Sequence, residues 1–488
     1  MARIRSSKYL EIEDFVVFYS RDCELIANLH ELILKHPVVP ESDLIYGDSV
    51  HPTEKKELSY QLRPGWSPER LRNHCYVGEV LIARRGLVQK VGKIKSLCRM
   101  TSHERALRLS EQAESTAHMG EILYLSPFDR RLPNVDLDAV RAHCLRMHID
   151  ARCELSEDSQ VVEVIREIKG TPRVCVIIPT RGDYAEVFRA KRNLASSAIK
   201  SLREKSTHKN IEIIVVIDAE ASEESRREII EVGGSDLTVI EYNAPFNFAE
   251  KINLAALSTS ADFLLFMNDD IEIDSPNVIE VMLSYFEDDQ IGLVGPMLKF
   301  EDGTIQSAGH ILNPIPFDLY RGFAAEISGG FNFLKPAREV SGVIAAFSMT
   351  RADLFREVGG LCMDFPSDYN DVDFALKLRT VGKKTIFTPY VTCWHFESKT
   401  RIPKLDPHAI ELLGARWRHE IENDFYANPM LQKYEFIWKA NVEGEISLRD
   451  AIDENANWDD EEWQSLQLLQ DKHLHRTMFY PRRIWREK

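Results

Sequence analysis

From Arg173 onward the chain alternates short apolar runs with amphipathic stretches. Residues 174–178, 211–217, 237–242 and 263–267 are rich in β-branched and aromatic side chains and read as strands. Between them, 186–205, 222–232 and 247–258 space their apolar residues as helices do. Later, 342–350 and 386–394 read as strands and 371–381 as a helix. Strands without polar alternation, separated by helices, predict an α/β fold: a mostly parallel sheet with helices on both faces.

The first 150 residues carry a faint copy of the later part. Residues 14–25 lie over 262–273 at a constant offset, which sets Asp22 on Asp270 and puts Ser20 and Arg21 where Asn268 and Asp269 stand. Residues 104–109 resemble 373–378, so Ser102 falls at Asp371, and 120–124 follow much as 384–388 do. An ordered series of this kind is the mark of internal duplication. Residues 174–260 have no early counterpart. Four regions are therefore expected: a truncated, degenerate α/β half-domain over 1–150, serving structure or docking; a linker over 151–172, with its acidic run and Gly170-Thr-Pro; a catalytic domain over 173–434; and a helical tail over 435–488.

Composition narrows the partners. A net charge of −16 argues against broad nucleic-acid binding, which needs clustered Lys and Arg, but leaves room for a phosphorylated small molecule. The eight cysteines include no Cys-x-x-Cys pair, so a zinc site or disulfide framework is not expected and a reducing interior is. No apolar run approaches the roughly 18 residues that span a bilayer. A cytoplasmic protein is the expectation. Its basic, aromatic end (476–488) reads as a solvated tail, with peripheral contact to an anionic membrane as the alternative.

The chemistry gathers at three places. Asp269 and Asp270 close the apolar run 263–267, at the carboxyl edge where open α/β sheets bind ligands. Oxygen donors there suit a hard divalent cation carrying a diphosphate; surface acids in a turn are the plain alternative. His395, after a strand-like segment, reads equally as a further ligand or as a buried, satisfied histidine, and a carboxylate–imidazole set suits Mn²⁺ at least as well as Mg²⁺. Asp371 and Asp373 stand about 200° apart on a helix and cannot share a face. Asn370 as N-cap with Asp373 three positions on fits a capping box. Asp371 then sits at the first helical position, as a proton acceptor or as a dipole partner only. Thr180, Asp183 and Asp218 also lie at strand ends where a nucleotide would rest; Asn247 reads as a helix cap, and Lys251 and Asn253 as groups within reach of phosphate or, for Lys251, merely solvated.

As an ordered set, Val-Ile-Ile-Pro-Thr (176–180), Pro-Phe-Asn-Phe-Ala (245–249), Phe-Met-Asn-Asp-Asp-Ile-Glu (266–272), Asp-Gly-Thr-Ile-Gln-Ser-Ala-Gly (302–309), Val-Gly-Gly (358–360), Asn-Asp-Val-Asp (370–373) and His-Phe-Glu-Ser-Lys-Thr-Arg (395–401) closely resembles glycosyltransferase family 2. The likeness covers about 172–434, and Asn-Asp-Phe-Tyr-Ala-Asn-Pro (423–429) matches the family's usual ending. It implies a GT-A fold and inverting transfer from a nucleotide sugar, with UDP- and dTDP-sugars both plausible, to a glycan, lipid-linked or protein acceptor. Carried over, Asp270 holds the metal with Asp269 beside it on the ribose or metal. Thr180 and Asp218 contact the nucleoside, with Asp183 and Lys251 nearby. Asp371 is the general base, His395 completes the cation site, and Asn370, Asp373 and Arg401 support the acceptor side. Residues 14–125 resemble the carboxyl-terminal half of a second such domain, as in tandem members. Gly359-Gly-Leu-Cys-Met (359–363) departs from the family in lacking the acidic pair that often follows the two glycines. Two other readings compete. A sugar-phosphate nucleotidyltransferase would want a Gly-rich, basic loop after the first strand, where residues 179–183 offer one Gly and one Arg. A non-catalytic glycan- or nucleotide-binding protein would have no need of the acids and histidine together.

Overall fold

The computed structural model describes residues 7–52, 58–126, 135–313, 315–397, 407–433 and 437–441. It divides into two compact units. Among the described residues, unit 1 comprises those up to Glu167, Ser328–Glu339 and the segment beginning at Asn423, and unit 2 holds Ile168–Ile327 and Val340–Glu422.

In unit 1 the strands are β1 (Lys8–Ile12), β2 (Phe15–Tyr19), β3 (Glu24–Leu25), β4 (Leu44–Pro52), β5 (Leu58–Gln61), β6 (Leu81–Arg84) and β7 (Thr116–Leu125). A hairpin, β8 (Ala151–Leu155) and β9 (Val162–Arg166), follows. The helices are α1 (Leu29–Lys35), α2 (Pro68–Asn73), α3 (Arg85–Val91), α4 (Ile94–Leu97), α5 (Ser102–Ser110) and α6 (Leu137–Arg146). The main sheet runs β1-β2-β6-β4-β7-β3, with β5 on β4. Where a linker is expected, the β8–β9 hairpin buries Cys153, Val162 and Val164 in the same apolar cluster as Val16, Tyr46 and Leu107. Three buried apolar side chains hold that hairpin to the unit more firmly than its acidic turn suggests.

Unit 2 contains β10 (Val174–Thr180), β11 (Tyr184–Val187), β12 (Ala190–Asn193), β13 (Ile211–Asp218), β14 (Leu237–Tyr242), β15 (Phe263–Met267), β16 (Ile271–Ile273), β17 (Ile291–Lys299) and β18 (Ile305–Ser307). After them come β19 (His310–Leu312), β20 (Pro316–Asp318), β22 (Phe347–Arg351) and β23 (Lys384–His395), while β21 (Arg338–Val340), which pairs with β23, straddles the division, with Arg338 and Glu339 counted in unit 1 and Val340 in unit 2. Its helices are α7 (Leu194–Lys205), α8 (Glu223–Gly233), α9 (Phe248–Leu257), α10 (Val278–Tyr285), α11 (Ala352–Glu357), α12 (Asn370–Thr380) and α13 (Pro407–Glu422). The sheet order is β14-β13-β10-β15-β22-β17-β23-β16. β14, β13, β10 and β15 pair in parallel, and β22 then enters antiparallel between β15 and β17. This is the α/β, GT-A-type arrangement that the sequence implies. The helix expected over 186–205 is half a hairpin: Phe188 and Arg189 turn at φ 47° and 62°, and α7 starts only after Asn193 accepts from Ser196 N. Two consecutive left-handed residues cannot continue a helix.

The early echo is a topological copy. β2-β6-β4-β7-β3 repeats β15-β22-β17-β23-β16, with the same parallel pair (β4·β7, β17·β23) and antiparallel neighbours at each step. β5 on β4 mirrors β18 on β17. Unit 1 departs beside β2, where β1 pairs antiparallel in the place that β10 takes, in parallel, beside β15.

Candidate active site

β10 has β13 on one side and β15 on the other, so successive connections diverge at its carboxyl end and open a crevice there. Thr180 ends β10, Asp218 ends β13, and Asp269 and Asp270 lie just beyond the end of β15. All five residues of β15 are buried. At about 1.5–3 kcal/mol for each large apolar side chain, that burial fixes the strand and leaves the acids at its edge.

Thr180 Oγ1 donates to Asp269 Oδ2 (2.6 Å) and accepts from Gly182 N (2.8 Å). Gly182 has φ 77°, and a Cβ there would meet Ala221 Cβ at 2.8 Å, so the turn requires glycine. Burial, with Asp270 and then Asp183 adding to it, raises the Asp269 carboxyl to about 7, against the pull of Thr180 and Lys251. Asp183 and Lys251 thus act on the same carboxyl. Lys251 is buried: its Nζ lies 2.5 Å from Asp218 Oδ1 and donates to Thr180 O (3.1 Å). The solvated reading of Lys251 is therefore wrong, since an ammonium taken out of water is held only with a partner. Asn253 is taken up by the chain itself. Its amide exchanges two hydrogen bonds with the backbone of Leu361 (2.8 and 2.9 Å), and a Cβ on Gly360 would strike it at 2.6 Å. Asn247 caps α9 as expected, accepting from Glu250 N.

Strand pairing delivers His395. β16 begins right after Asp270 and runs antiparallel to the end of β23, with Ile271 opposite His395, and Phe396 N donates to Asp270 O (3.0 Å). His395 Nε2 lies 3.2 Å from Asp270 Oδ1, and the imidazole is buried, with no hydrogen-bond partner for Nδ1 among the described residues. Burial alone would lower its pKa; the charges of Asp270 and Glu397 outweigh it and raise it. Glu397 is in turn paired with Arg321 and accepts from Gln306 Nε2 (3.4 Å). Sequence reasoning passed over this Gln306–Arg321–Glu397 group, although Gln306 and Glu397 lie inside the motifs it quoted. Among the described residues no three His, Cys, Asp or Glu side chains form a group able to hold a metal ion. The Asp270–His395 pair has Asp269 turned aside to Thr180.

Asp371 reaches the same edge through the loop before β22. Asn268 N donates to Ala346 O (2.8 Å), and the neighbouring Ala345 N donates to Asp371 Oδ2 (3.3 Å). Two successive residues thus tie the acid of α12 to the strand end that carries Asp269 and Asp270. The capping box is not formed. Tyr369, left-handed at φ 63°, is the residue before the helix and gives no side-chain cap; Asn370 is the first helical residue and Asp371 the second. Asn370 instead donates to Phe365 O (3.4 Å). Asp373 is fully buried, accepting from Trp417 Nε1 (2.8 Å) beside Arg416 (3.2 Å) and Lys377 (3.8 Å). A carboxylate with three such partners fastens α12 to α13. Arg401 and most of the expected tail, its basic end included, lie outside the described residues. Among the described residues no helix is long and apolar enough to cross a membrane.

Residues 164–359 match the profile of glycosyl transferase family 2. Among curated proteins, O-antigen biosynthesis protein RfbC of Myxococcus xanthus is 27% identical over 439 residues, covering 86% of this chain and 34% of the relative. Protein y4gI of Sinorhizobium fredii (strain NBRC 101917 / NGR234) is 25% identical over 431 residues, covering 82% of this chain and 46% of the relative. The chain thus spans less than half the length of these two relatives. Among solved structures, GalNAc-T7 with UDP, GalNAc and Mn²⁺ is similar at 14% identity and a TM-score of 0.42, over 68% of this chain and 61% of that one. Mannosyltransferase PcManGT from Pyrobaculum calidifontis, in complex with GDP-Man and Mn²⁺, is similar at 15% identity and a TM-score of 0.35, over 63% of this chain and 76% of that one. Sequence match and ordered motifs agree on the same stretch: residues 164–359 are similar to glycosyl transferase family 2.

Proposed function

We propose that the chain is a metal-dependent, inverting hexosyltransferase that moves a sugar from a UDP- or dTDP-linked donor to a hydroxyl of a glycan, lipid-linked or protein acceptor. The observation that carries this reading is the pair of backbone bonds at Ala345 and Ala346, which join Asp371 to the strand end bearing Asp269 and Asp270. A base and a donor-phosphate site must lie that close for one displacement. The relative named for O-antigen biosynthesis favours a glycan or lipid-linked acceptor.

In this reading Thr180, Asp183, Asp218, Lys251 and Asp269 line the nucleotide site. Asp371 takes the proton of the acceptor hydroxyl as its oxygen attacks the anomeric carbon. The bond from that carbon to the diphosphate breaks, its electron pair leaves with the nucleoside diphosphate, and the configuration inverts. Asp270 and His395 would hold Mn²⁺ or Mg²⁺, whose charge when bound offsets that of the leaving diphosphate. A histidine nitrogen and a carboxylate oxygen 3.2 Å apart fit neighbouring ligand positions, and such ions commonly take one or two protein groups plus substrate phosphates.

The test is release of nucleoside diphosphate from a panel of nucleotide sugars with and without Mn²⁺. Asp371→Asn is expected to abolish turnover while keeping nucleotide affinity. Unchanged turnover in that variant ends the base assignment.

A further inference from the structure

Two pieces of unit 1 come from far along the chain, Ser328–Glu339 and the segment beginning at Asn423, each continuing into unit 2 sequence. Both are fastened by buried polar groups. The Glu339 carboxylate accepts from Ser67 Oγ and from Glu69 N (3.2 Å), and Glu339 N donates back to Ser67 Oγ (3.3 Å). Asn428 Nδ2 donates to Asp48 Oδ2 and to Arg63 O, both at 2.8 Å, and Trp438 Nε1 donates to Leu62 O (3.0 Å). Glu339 is 4% and Asn428 2% exposed, so water cannot replace these partners without opening the unit.

In unit 2 each piece leads, after six residues, to a group that holds α12. Six residues past Glu339 stands Ala345, whose N–H bonds Asp371. Six residues before Asn423 stands Trp417, whose indole bonds Asp373, with Arg416 next to it. We propose that unit 1 is a positioning domain for the acid of α12, and that Glu339 and Asn428 are the positioning residues that pin the two chain segments holding α12, one at Asp371 and the other at Asp373. The coupling runs along the backbone. A segment pinned at Glu339, and again at Ser341 and Gly342 by the backbone of His310, has few conformations to lose when Ala345 meets Asp371, whereas one released at Glu339 must give up more freedom at each encounter. A base displaced by about 1 Å can cost 10²-fold in rate, which gives a half-domain without the acid pair a reason to be there. This inference rests on the reading of Asp371 as base.

The experiment uses the full chain with Glu339→Ala, Glu339→Gln and Asn428→Ala, and reads hydrogen exchange, turnover and nucleoside-diphosphate affinity. Glu339→Ala should speed amide exchange across 340–346 by about tenfold and lower kcat by a similar factor, with nucleotide affinity unchanged. Glu339→Gln keeps an acceptor oxygen and should recover most of both. Asn428→Ala should loosen the peptide around Trp417 in the same way. Should Glu339→Ala prove unable to fold, Ser67→Ala replaces it as a milder release of the same segment. If exchange rises within 328–339 while 340–346 and kcat keep their wild-type values, the proposal is overturned. If no donor supports turnover in any form, the transferase reading fails, and the exchange pattern still decides whether unit 1 holds the loop.

Discussion

β2 and β15 hold the same place in two sheets built on one plan, yet Ser20-Arg21-Asp22 follows the first and Asn268-Asp269-Asp270 the second. The shared plan is apolar: β2 and β15 both bury nearly all their side chains, and buried runs specify pairing whatever stands beyond them. The chemistry depends on the neighbour. Unit 2 sets parallel β10, β13 and β14 beside β15 and so opens a crevice; unit 1 sets antiparallel β1 in that place. Its charged groups turn inward, with Glu69 bound by Arg166 and Arg72, and Asp48 by His118, Arg63 N and Asn428. A copied half-sheet keeps its fold easily and its reaction only with the other half.

The largest effect is expected from writing unit 1 into unit 2. Asp371→Ser installs the residue that unit 1 carries as Ser102 and should lower turnover by about 10²–10⁴-fold, with the melting curve nearly unmoved, as steady-state kinetics and calorimetry can check. Next comes acid response, where the units should oppose each other. Asp269 sits at about 7 when folded against an ordinary 3.8, because burial and Asp270 disfavour its charge. Between those values only the folded chain keeps the proton, so stability falls as pH rises through that window and is level above it. Burial also pushes Glu69 upward, but Arg166 and Arg72 outweigh it and bring it from 4.5 to about 2. Here stability falls as pH drops from 4.5 toward 2. Each contribution is on the order of 3–4 kcal/mol. Denaturant midpoints across pH should lose the first slope in Asp269→Asn and the second in Glu69→Gln. Smallest is Arg21→Asp, which gives unit 1 an acid pair and should leave turnover and nucleotide affinity at the wild-type level, because β2 has antiparallel β1 where β15 has parallel β10. Added nucleotide binding would break the comparison.

Much of this was legible in the chain. The parallel half announces itself because strands buried on both faces are unbroken apolar runs, and Asp269, Asp270 and His395 stand out because polar groups at such strand ends have no packing role. The duplication was visible in the ordered series of matches at 14–25, 104–109 and 120–124, and is carried by the strand order of the whole half-sheet. What stayed hidden depends on partners distant in sequence. Lys251 looks like any helix lysine until Asp218 is beside it, and Asp373 looks like a cap until Trp417 and Arg416 reach it from α13. The β11–β12 hairpin hid because Phe188-Arg189 has none of the Asn-Gly chemistry such a turn favours. The fastening of 328–339 by Ser67 leaves no local trace at all.

That three-part assembly bears on how the protein can be dissected. A fragment starting at residue 168 would leave Phe331 and Phe333 stripped of Arg70, which lies over both rings, while a fragment ending at 167 would lack those rings altogether. Either truncation exposes sticky aromatic surface, so neither half should express as a well-behaved soluble piece, and a catalytic fragment cut at the family boundary would be the wrong reagent for an assay.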